Sequence, residues 1–330
     1  MPLARPISLT ASPPREATSI RATTGEASRG PTKRNRPISV NEVLRWGRKT
    51  LIDAGRDATD TPGLDADVLL RAVLGWDRAA LITRDNEAVA PSAWRRFRAL
   101  ILRRVRAEPV AYLTGTREFA GALFKVDRRV LIPRPDTEVM VEVALARLGP
   151  LGDTGRAADV GTGSGAIAIS LAHACPRASI HAVDIDRGAL RVARRNARRL
   201  LADHRLRFHL GDGLPAARAR VDVVCANLPY VPVDAIPKLD RTVREWEPHL
   251  ALAGGRDGLD LYRQLLEATP RLVRAGGSIL MECDPNQVGA LKALARRAHP
   301  DSNLAVHRDL SGRDRVVEVH LPAGPSARLR

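Results

Sequence analysis

The chain has 330 residues, 44% of them hydrophobic, so it is long enough to hold one large domain or two small ones. Its formal net charge is +16, and seven of its basic residues lie in positions 1–36. No apolar run approaches the ~20 residues that cross a bilayer, the three cysteines form no CxxC pair, and no HxxxH spacing indicates a metal site, so the composition predicts a cytoplasmic globular protein without membrane contact or bound metal.

The two ends of the chain lack the apolar content of a core. Residues 1–36 are rich in Pro, Ser, Thr and Arg and contain almost no large apolar side chain, so they cannot bury enough surface to offset the entropy of ordering. We expect a disordered leader there, or a start codon assigned too early. A short disordered tail is expected at 323–330.

A helical pattern begins at Ser39, which forms a capping-box pair with Glu42. Further helices are predicted at 66–74, 79–82 and 91–105. These elements indicate a small all-helical domain over 37–116. An alternating stretch around Gly121 then predicts a β-hairpin linker over 117–133.

From residue 134 to residue 322 apolar runs alternate with helical patterns, which is typical of an α/β domain with a doubly wound parallel sheet. Strands are predicted at 157–160, 179–184, 206–210, 221–226 and 277–283. Helices are predicted at 164–174, 187–201, 259–274 and 286–297. Two closing runs, 303–308 and 315–321, are separated by a short link that favours an antiparallel pair at the edge of the sheet.

A glycine-rich turn joins the first strand of this region to its first helix. Glycines in such a turn let the backbone bend tightly and let a ligand approach where a Cβ would clash. The loop assigned to a cofactor consists of Gly161, Thr162, Gly163, Ser164 and Gly165. Asp184 ends the next strand, where a carboxylate can accept hydrogen bonds from both hydroxyls of a ribose. Asp159 suits the ammonium end of a cofactor, and Asp212, followed by Gly213, suits an adenine amino group.

The most informative segment is Asn227-Leu228-Pro229-Tyr230, which follows the buried run 221–226. It therefore lies at the carboxyl end of a strand, where open α/β sheets bind ligands. The Asn227 side chain and the Leu228 backbone each offer a carbonyl oxygen, and Pro229 stiffens the loop. Two adjacent acceptors suit a planar NH2 group, and Tyr230 offers it an aromatic face. These four residues form the candidate catalytic and substrate site, and Asn227 also belongs to the cofactor site.

Two cofactors compete for the glycine loop. Gly161, Gly163 and Ala166 satisfy the dinucleotide pattern GxGxxG/A, which would indicate NAD. Asp159 before the first glycine and the third glycine at GxGxG spacing favour S-adenosylmethionine. The Asn-Leu-Pro-Tyr loop favours it further, because that loop has no evident role in hydride transfer.

These motifs together resemble the glutamine N5-methyltransferases that modify peptide chain release factors. The resemblance covers about residues 39 to 321 and rests on segments 108–115, 131–138, 159–166, 182–184, 227–230, 247–248, 254–259 and 310–315. It implies an N-terminal helical substrate-recognition domain, a seven-stranded methyltransferase domain and S-adenosylmethionine as cofactor. The implied substrate is the Gln of a Gly-Gly-Gln tripeptide in a release factor, with Arg134 at the substrate site. We expect a monomer with no direct nucleic-acid contact.

Two departures from the family pattern concern the site. The usual loop is Asn-Pro-Pro-Tyr, whereas this chain has Leu228 in place of the first proline; the backbone carbonyl is retained. Gly213 stands where some members carry an aromatic residue beside the adenine. A sister family methylates a Gln of ribosomal protein L3, but it typically lacks the run Pro135 to Glu138, which favours release factors.

The chemistry expected of the site is orientation. An amide nitrogen is a poor nucleophile, so aligning it with the sulfonium methyl is the main contribution that a protein can make. An adenine N6-methyltransferase, which flips its base out of the helix, and a non-catalytic cofactor-binding module are the alternatives. Four purely structural assignments also stay open: Asn227 as a cap of the following segment, Tyr230 as core packing, Arg134 with Glu138 as a surface pair, and Asp212 as a solvated turn residue. Of the four tryptophans, Trp246 is expected nearest the substrate cleft.

Overall fold

The computed structural model describes residues 37–214 and 219–324. The leader expected at 1–36 and residues 325–330 of the expected tail lie outside the described residues. Five helices come first: α1 (Val40–Asp53), α2 (Pro62–Leu74), α3 (Arg78–Thr83), α4 (Pro91–Arg104) and α5 (Val110–Thr114). The capping box is confirmed, with the Ser39 hydroxyl accepting from the Glu42 N–H and the Glu42 carboxylate accepting from the Ser39 N–H. The sequence therefore predicted the start of the helical region correctly.

Helix α2 begins four residues before the predicted start at residue 66. Pro62 belongs to the first turn, where a proline is favourable because its missing N–H has no partner to lose. Asp65 in that turn is buried and pairs with Arg104 of α4 at 2.7 Å. The pair joins two helices inside the N-terminal region, where breaking it would leave a buried charge.

A two-stranded hairpin follows, formed by β1 (Thr116–Phe119) and β2 (Ala122–Lys125). Its turn places Ala120 and Gly121 at positive φ, the geometry of the tight turns that match strand twist. The hairpin thus ends eight residues before the predicted linker boundary at 133. The buried Asn196 of the second domain exchanges two hydrogen bonds with the Lys125 backbone, which fixes the hairpin against the sheet domain.

The sheet domain contains seven strands in the order β5-β4-β3-β6-β7-β9-β8. The strands are β3 (Arg156–Val160), β4 (Ser179–Asp184), β5 (Leu206–Leu210), β6 (Val221–Ala226), β7 (Val273–Glu282), β8 (Asn303–Arg308) and β9 (Asp314–His320). The first five are parallel, and β9 runs antiparallel to both β7 and β8. The predicted doubly wound sheet and its antiparallel edge are confirmed.

Helices cover both faces of this sheet. They are α6 (Glu138–Leu148), α7 (Ala166–Ala174), α8 (Arg187–Arg199), α10 (Asp260–Leu272) and α11 (Val288–Ala298), whereas the short α9 (Arg241–Arg244) has no buried residue. One apolar cluster lies under α6, α7 and α8, and a second lies under α10 and α11. From β3 the chain adds β4 and β5 on one side of the sheet, and it then crosses to β6 and β7 on the other side. The direction therefore reverses between the neighbouring strands β3 and β6, and their carboxyl ends border the crevice that such sheets use for ligands.

No helix among residues 37–214 and 219–324 is both long enough and apolar enough to cross a membrane.

Candidate active site

A cavity of about 380 Å³ opens at the carboxyl ends of the parallel strands. The glycine loop after β3 and the Asn-Leu-Pro-Tyr loop after β6 both line it, so the structure brings together two motifs that lie more than 60 residues apart. Predicted residues on its wall are Arg134, Gly161, Thr162, Gly163, Ser164, Asp184, Asp212, Gly213, Asn227, Leu228 and Pro229. Asp159, Gly165 and Tyr230 do not line it.

The glycine loop is shaped by its backbone. Gly161, Gly163 and Gly165 all have positive φ, between 55° and 82°, a region that residues with a Cβ rarely adopt. A Cβ on Gly165 would lie 3.2 Å from that of Ala193 on α8, so this glycine permits close packing of two helices rather than contact with a ligand. The Asn196 amide of α8 donates to the Ser164 carbonyl and holds the loop from behind.

Asp159 lies beneath the glycine loop and is fully buried. Its Oδ2 accepts hydrogen bonds from the Thr162 hydroxyl at 2.6 Å and the Ala168 N–H at 3.1 Å. Burial raises the pKa of this carboxyl to about 7, although both hydrogen bonds oppose the shift. Oδ1 is buried without a hydrogen-bond partner among the described residues. The side chain therefore organises the loop, and its contact with an ammonium group stays a prediction.

Asp184 presents its carboxylate at the cavity wall. One oxygen accepts the Gly163 N–H at 2.9 Å and the other accepts the Asp186 N–H at 2.8 Å. Each carboxylate oxygen can accept a second hydrogen bond, so a pair of vicinal hydroxyls can still bind. Burial raises the pKa of Asp184, and the backbone hydrogen bonds counteract it.

The Asn227 side chain is oriented by a residue of another segment. Its Nδ2 donates to Thr137 Oγ1 at 3.1 Å, which leaves Oδ1 as the free end of the carboxamide. Thr137 is buried, with 4% of its surface exposed, in the short 3-10 turn Pro135–Thr137 before α6. Both residues line the cavity. The arrangement can therefore present a side-chain oxygen to a donor in the cavity.

Leu228 is held by its backbone. Its N–H donates to the hydroxyl of the fully buried Tyr262, at 3.3 Å, and that hydroxyl in turn donates to the Glu282 carbonyl on β7. This hydrogen bond fixes the peptide plane between Asn227 and Leu228, next to the Leu228 carbonyl. Another backbone acceptor of this loop is satisfied from a distant segment, since the Gln287 amide donates to the Tyr230 carbonyl at 2.9 Å.

Tyr230 is held by contacts outside the cavity lining. Its hydroxyl lies 3.4 Å from Glu282 Oε1, and its ring packs against the apolar cluster under α10 and α11. Burial and the neighbouring Glu282 raise the pKa of Tyr230. These contacts agree with the alternative in which Tyr230 packs in the core. A contact between its ring and a substrate amide stays a prediction.

Arg134 pairs with Glu247 at 2.6 Å, whereas Glu138 accepts from the Ala120 N–H. The alternative of an Arg134–Glu138 surface pair is therefore wrong, because the carboxylate that meets Arg134 comes from a segment 113 positions later. Glu247 is buried; burial raises its pKa, and Arg134 opposes the shift. Arg134 keeps about a third of its side chain exposed at the cavity.

Trp246 does not line the cavity, although Pro248 two residues later does. Its indole N–H donates to the Arg106 carbonyl at 3.2 Å, and the Arg128 guanidinium lies 4.0 Å from the ring centre. The tryptophan thus connects the N-terminal helices to the segment beside the cavity.

Three residues of the site carried no assigned role in the sequence. Thr137 belongs to the motif at 131–138 and Glu247 to the motif at 247–248, but neither motif indicates which side chain the residue contacts. Tyr262 has no local signal, because it occupies an ordinary amphipathic helix. Each acts through a contact between distant segments, which spacing along the chain does not encode.

The wall of the cavity fits a nucleoside-type cofactor. A Cβ on Gly161 would lie 3.1 Å from Leu228 Cδ2, so this positive-φ glycine keeps open a space that a side chain would fill. The Asp184 carboxylate on the wall keeps free acceptor capacity, Asp186 and Asp212 also line the cavity, and the apolar part of the wall includes Val160, Ile185 and Leu214. Within the described ranges, no group of three or more His, Cys, Asp and Glu side chains is placed to hold a metal ion.

Comparison with protein families gives two matches. Residues 42–115 match a family described as the PrmC N-terminal domain, and residues 157–254 match one described as a methyltransferase domain. These ranges coincide with the helical region and with the first half of the sheet domain.

Two curated relatives are similar over most of the chain. The release factor glutamine methyltransferase of Moorella thermoacetica is 47% identical over 257 residues, which covers 78% of this chain and 90% of that protein. The protein with the same name from Geobacter sulfurreducens is 37% identical over 283 residues, covering 84% and 95%. Among solved structures, the hMettl16 catalytic domain in complex with the MAT2A 3′UTR hairpin 1 has a TM-score of 0.51 at 14% identity, covering 74% of this chain and 88% of that one; this likeness concerns the fold alone.

Proposed function

Because the chain belongs to the release factor glutamine methyltransferase family, we propose that it transfers a methyl group from S-adenosylmethionine to the side-chain amide nitrogen of the Gln in the Gly-Gly-Gln tripeptide of a release factor. The observation that carries the proposal is the single cavity shared by the glycine loop and Asn227-Leu228-Pro229, because it puts a cofactor site and a pair of carbonyl oxygens side by side.

The cofactor supplies an electrophilic methyl group on a sulfonium sulfur. The residues proposed to bind it are Asp159, Gly161, Thr162, Gly163, Ser164, Gly165, Asp184, Asp212, Gly213 and Asn227. Asp184 would accept the ribose hydroxyls with the lone pairs that its two backbone donors leave free. Asp159 would act mainly through the loop that it holds, since the Thr162 hydroxyl and the Ala168 N–H occupy one of its oxygens.

The substrate amide would be held by two oxygens. Asn227 Oδ1 is turned outward because Nδ2 is bound to Thr137, and the Leu228 carbonyl is fixed through the Tyr262 hydrogen bond. Accepting both amide hydrogens fixes the amide plane and increases electron density on nitrogen. Such alignment can contribute up to ~7–11 kcal/mol to a group-transfer step. Arg134, anchored by Glu247, would contact the peptide around the Gln.

No general base is required for the transfer. Once its nitrogen carries the new methyl group, the amide is strongly acidic and loses a proton to water. The carboxylates nearest the loop, Glu282 and Glu247, are buried and bound to other side chains. Orientation is therefore the main chemical task of the loop.

Mass spectrometry of a release factor tests the proposal. The factor is incubated with the protein and S-adenosylmethionine, digested and sequenced. We expect one added methyl on the Gln of its Gly-Gly-Gln peptide, and a Gln→Ala release factor as control should gain none. Asn227→Ala should lower the rate at least roughly 100-fold, with the dissociation constant of the cofactor within a few-fold of wild type. Methylation of RNA, or of no residue in the factor, would contradict the proposal.

We further propose that the protein acts as a monomer in the cytoplasm, where release factors work. Light scattering during size exclusion would test the first point, and fractionation of cells that express the tagged protein would test the second.

A further inference from the structure

The orientation of the Asn227 carboxamide decides whether the loop can accept a donor. The oxygen and the nitrogen of an amide side chain have nearly the same size, and rotation by 180° exchanges an acceptor for a donor. A substrate NH2 group that meets the Asn227 nitrogen would be repelled. The loop therefore needs a second group that binds one end of the carboxamide and only that end.

Thr137 occupies the position of such a group. Its Oγ1 lies 3.1 Å from Asn227 Nδ2, and the residue is 4% exposed, so water does not compete for it. A hydroxyl alone does not select an orientation, because it can accept from an NH2 group or donate to a carbonyl. Which orientation of the Asn227 carboxamide is selected depends on the group to which the Thr137 hydroxyl donates its own hydrogen bond.

Glu282 is the candidate acceptor for that proton. Burial has the larger effect on the pKa of the Glu282 carboxyl and raises it, whereas Thr137 and Arg315 lower it. The Tyr230 hydroxyl lies 3.4 Å from Glu282 Oε1, whereas Glu282 Oε2 is buried without a hydrogen-bond partner among the described residues. With the Thr137 proton directed at this carboxylate, a lone pair of Oγ1 remains for Asn227 Nδ2.

We propose that Thr137 is a positioning residue for methyl transfer: it binds the nitrogen end of the Asn227 carboxamide, with Glu282 behind it, and so turns Oδ1 toward the substrate amide. The inference rests on the proposed function, because it specifies how the acceptor of that reaction is oriented. It assigns Thr137 no contact with the reacting atoms.

The test compares Thr137→Val, which keeps the shape and removes the hydroxyl, with Thr137→Ser, which keeps the hydroxyl. We expect Thr137→Val to lower kcat by roughly 10- to 100-fold, since an amide hydrogen is left without its buried partner. KM for the release factor and the dissociation constant of S-adenosylmethionine should stay within about threefold of wild type. Thr137→Ser should recover most of kcat. Thr269→Val, which removes a fully buried hydroxyl of α10, is the matched control and should keep the wild-type kcat.

The outcomes separate this inference from the proposed function. If wild type methylates the release factor and Thr137→Val has the same kcat, the inference is overturned and the function stands. The inference is also overturned if kcat of Thr137→Ser is as low as that of Thr137→Val. It is likewise overturned if the loss of kcat in Thr137→Val is no larger than the loss of affinity for the cofactor. If wild type itself leaves the release factor unmodified, the proposed function fails. Should Thr137→Val not bind the cofactor at all, Thr137→Ala replaces it in the same comparison.

Discussion

Replacing Tyr262 by Phe should weaken the loop that carries the proposed acceptors, although the ring never reaches the cavity. The substitution removes only an oxygen, and the fully buried ring keeps its packing. The Leu228 N–H, 3.3 Å from that oxygen, then lies buried without a partner. Leaving a buried donor unsatisfied costs about 1–3 kcal/mol, so the free energy of unfolding should fall by about that amount.

Losing the hydrogen bond between the Leu228 N–H and the Tyr262 hydroxyl should also lower kcat. The hydrogen bond fixes the peptide plane next to the Leu228 carbonyl, so losing it lets the carbonyl leave its productive position. Each ~1.4 kcal/mol of restraint lost in the transition state lowers kcat about tenfold. We therefore expect kcat to fall by roughly 3- to 30-fold, with the cofactor dissociation constant unchanged. Urea unfolding and steady-state methylation of a release factor measure the two effects, and Thr269→Val on the same helix controls for loss of stability alone.

A proline at position 228 provides a stringent check, because proline has no N–H to donate. In a Leu228→Pro background the same Tyr262→Phe substitution should cost clearly less, both in unfolding free energy and in kcat. Equal penalties in the two backgrounds would refute the reasoning, since the Tyr262 hydroxyl would then act through the Glu282 carbonyl rather than through the loop. An unchanged kcat in the Leu228 background would refute it as well.

Three further predictions concern carboxylates at the cavity, beneath the glycine loop and in the N-terminal helices. Asp184→Ala should raise the S-adenosylmethionine dissociation constant by about 10- to 100-fold in calorimetry, since a hydrogen bond to a charged group contributes about 1.5–3 kcal/mol; an unchanged constant contradicts the assignment. Burial raises the folded-state pKa of Asp159 to about 7, so the contribution of this carboxyl to stability is lost as pH rises from about 4 to about 7. The free energy of unfolding of Asp159→Asn, measured with urea, should therefore gain on that of wild type by about 3 kcal/mol between pH 5 and pH 8. A difference that does not change with pH argues against this. Arg104→Met leaves the Asp65 carboxylate buried without its ion partner, so the free energy of unfolding should fall by about 3–5 kcal/mol. Adding Asp65→Leu removes the unpaired charge and should restore most of that free energy.

The strands around the site could be predicted from the sequence almost to the residue. β4, β5 and β6 begin and end where expected: β4 and β6 are mostly buried, largely apolar runs, and the edge strand β5 alternates apolar and basic side chains. β7 begins at Val273 instead of 277, since Gly276 and Gly277 look like a turn but lie within the strand, opposite an irregular pairing with β6.

The two loops that line the cavity could be located for a related reason. Glycines at tight turns and an Asn after a buried strand are local signals, so the two halves of the cavity could be placed from the sequence. The residues that orient them could not. Thr137 is 90 positions from Asn227, and Tyr262 is 34 positions from Leu228. Such contacts follow from how the helices pack on the sheet, and no periodicity in the chain records that packing.

The hydrogen bond from Trp246 to the Arg106 carbonyl couples the cavity wall to the end of the N-terminal helices. Pro248 and Leu250 line the cavity, and they follow the tryptophan within four residues. A shift of the helices away from the sheet must therefore either break this bond or move the cavity wall with it. A protein substrate bound to the N-terminal helices would act, through one indole N–H, on the wall of the cavity that its own side chain has to reach.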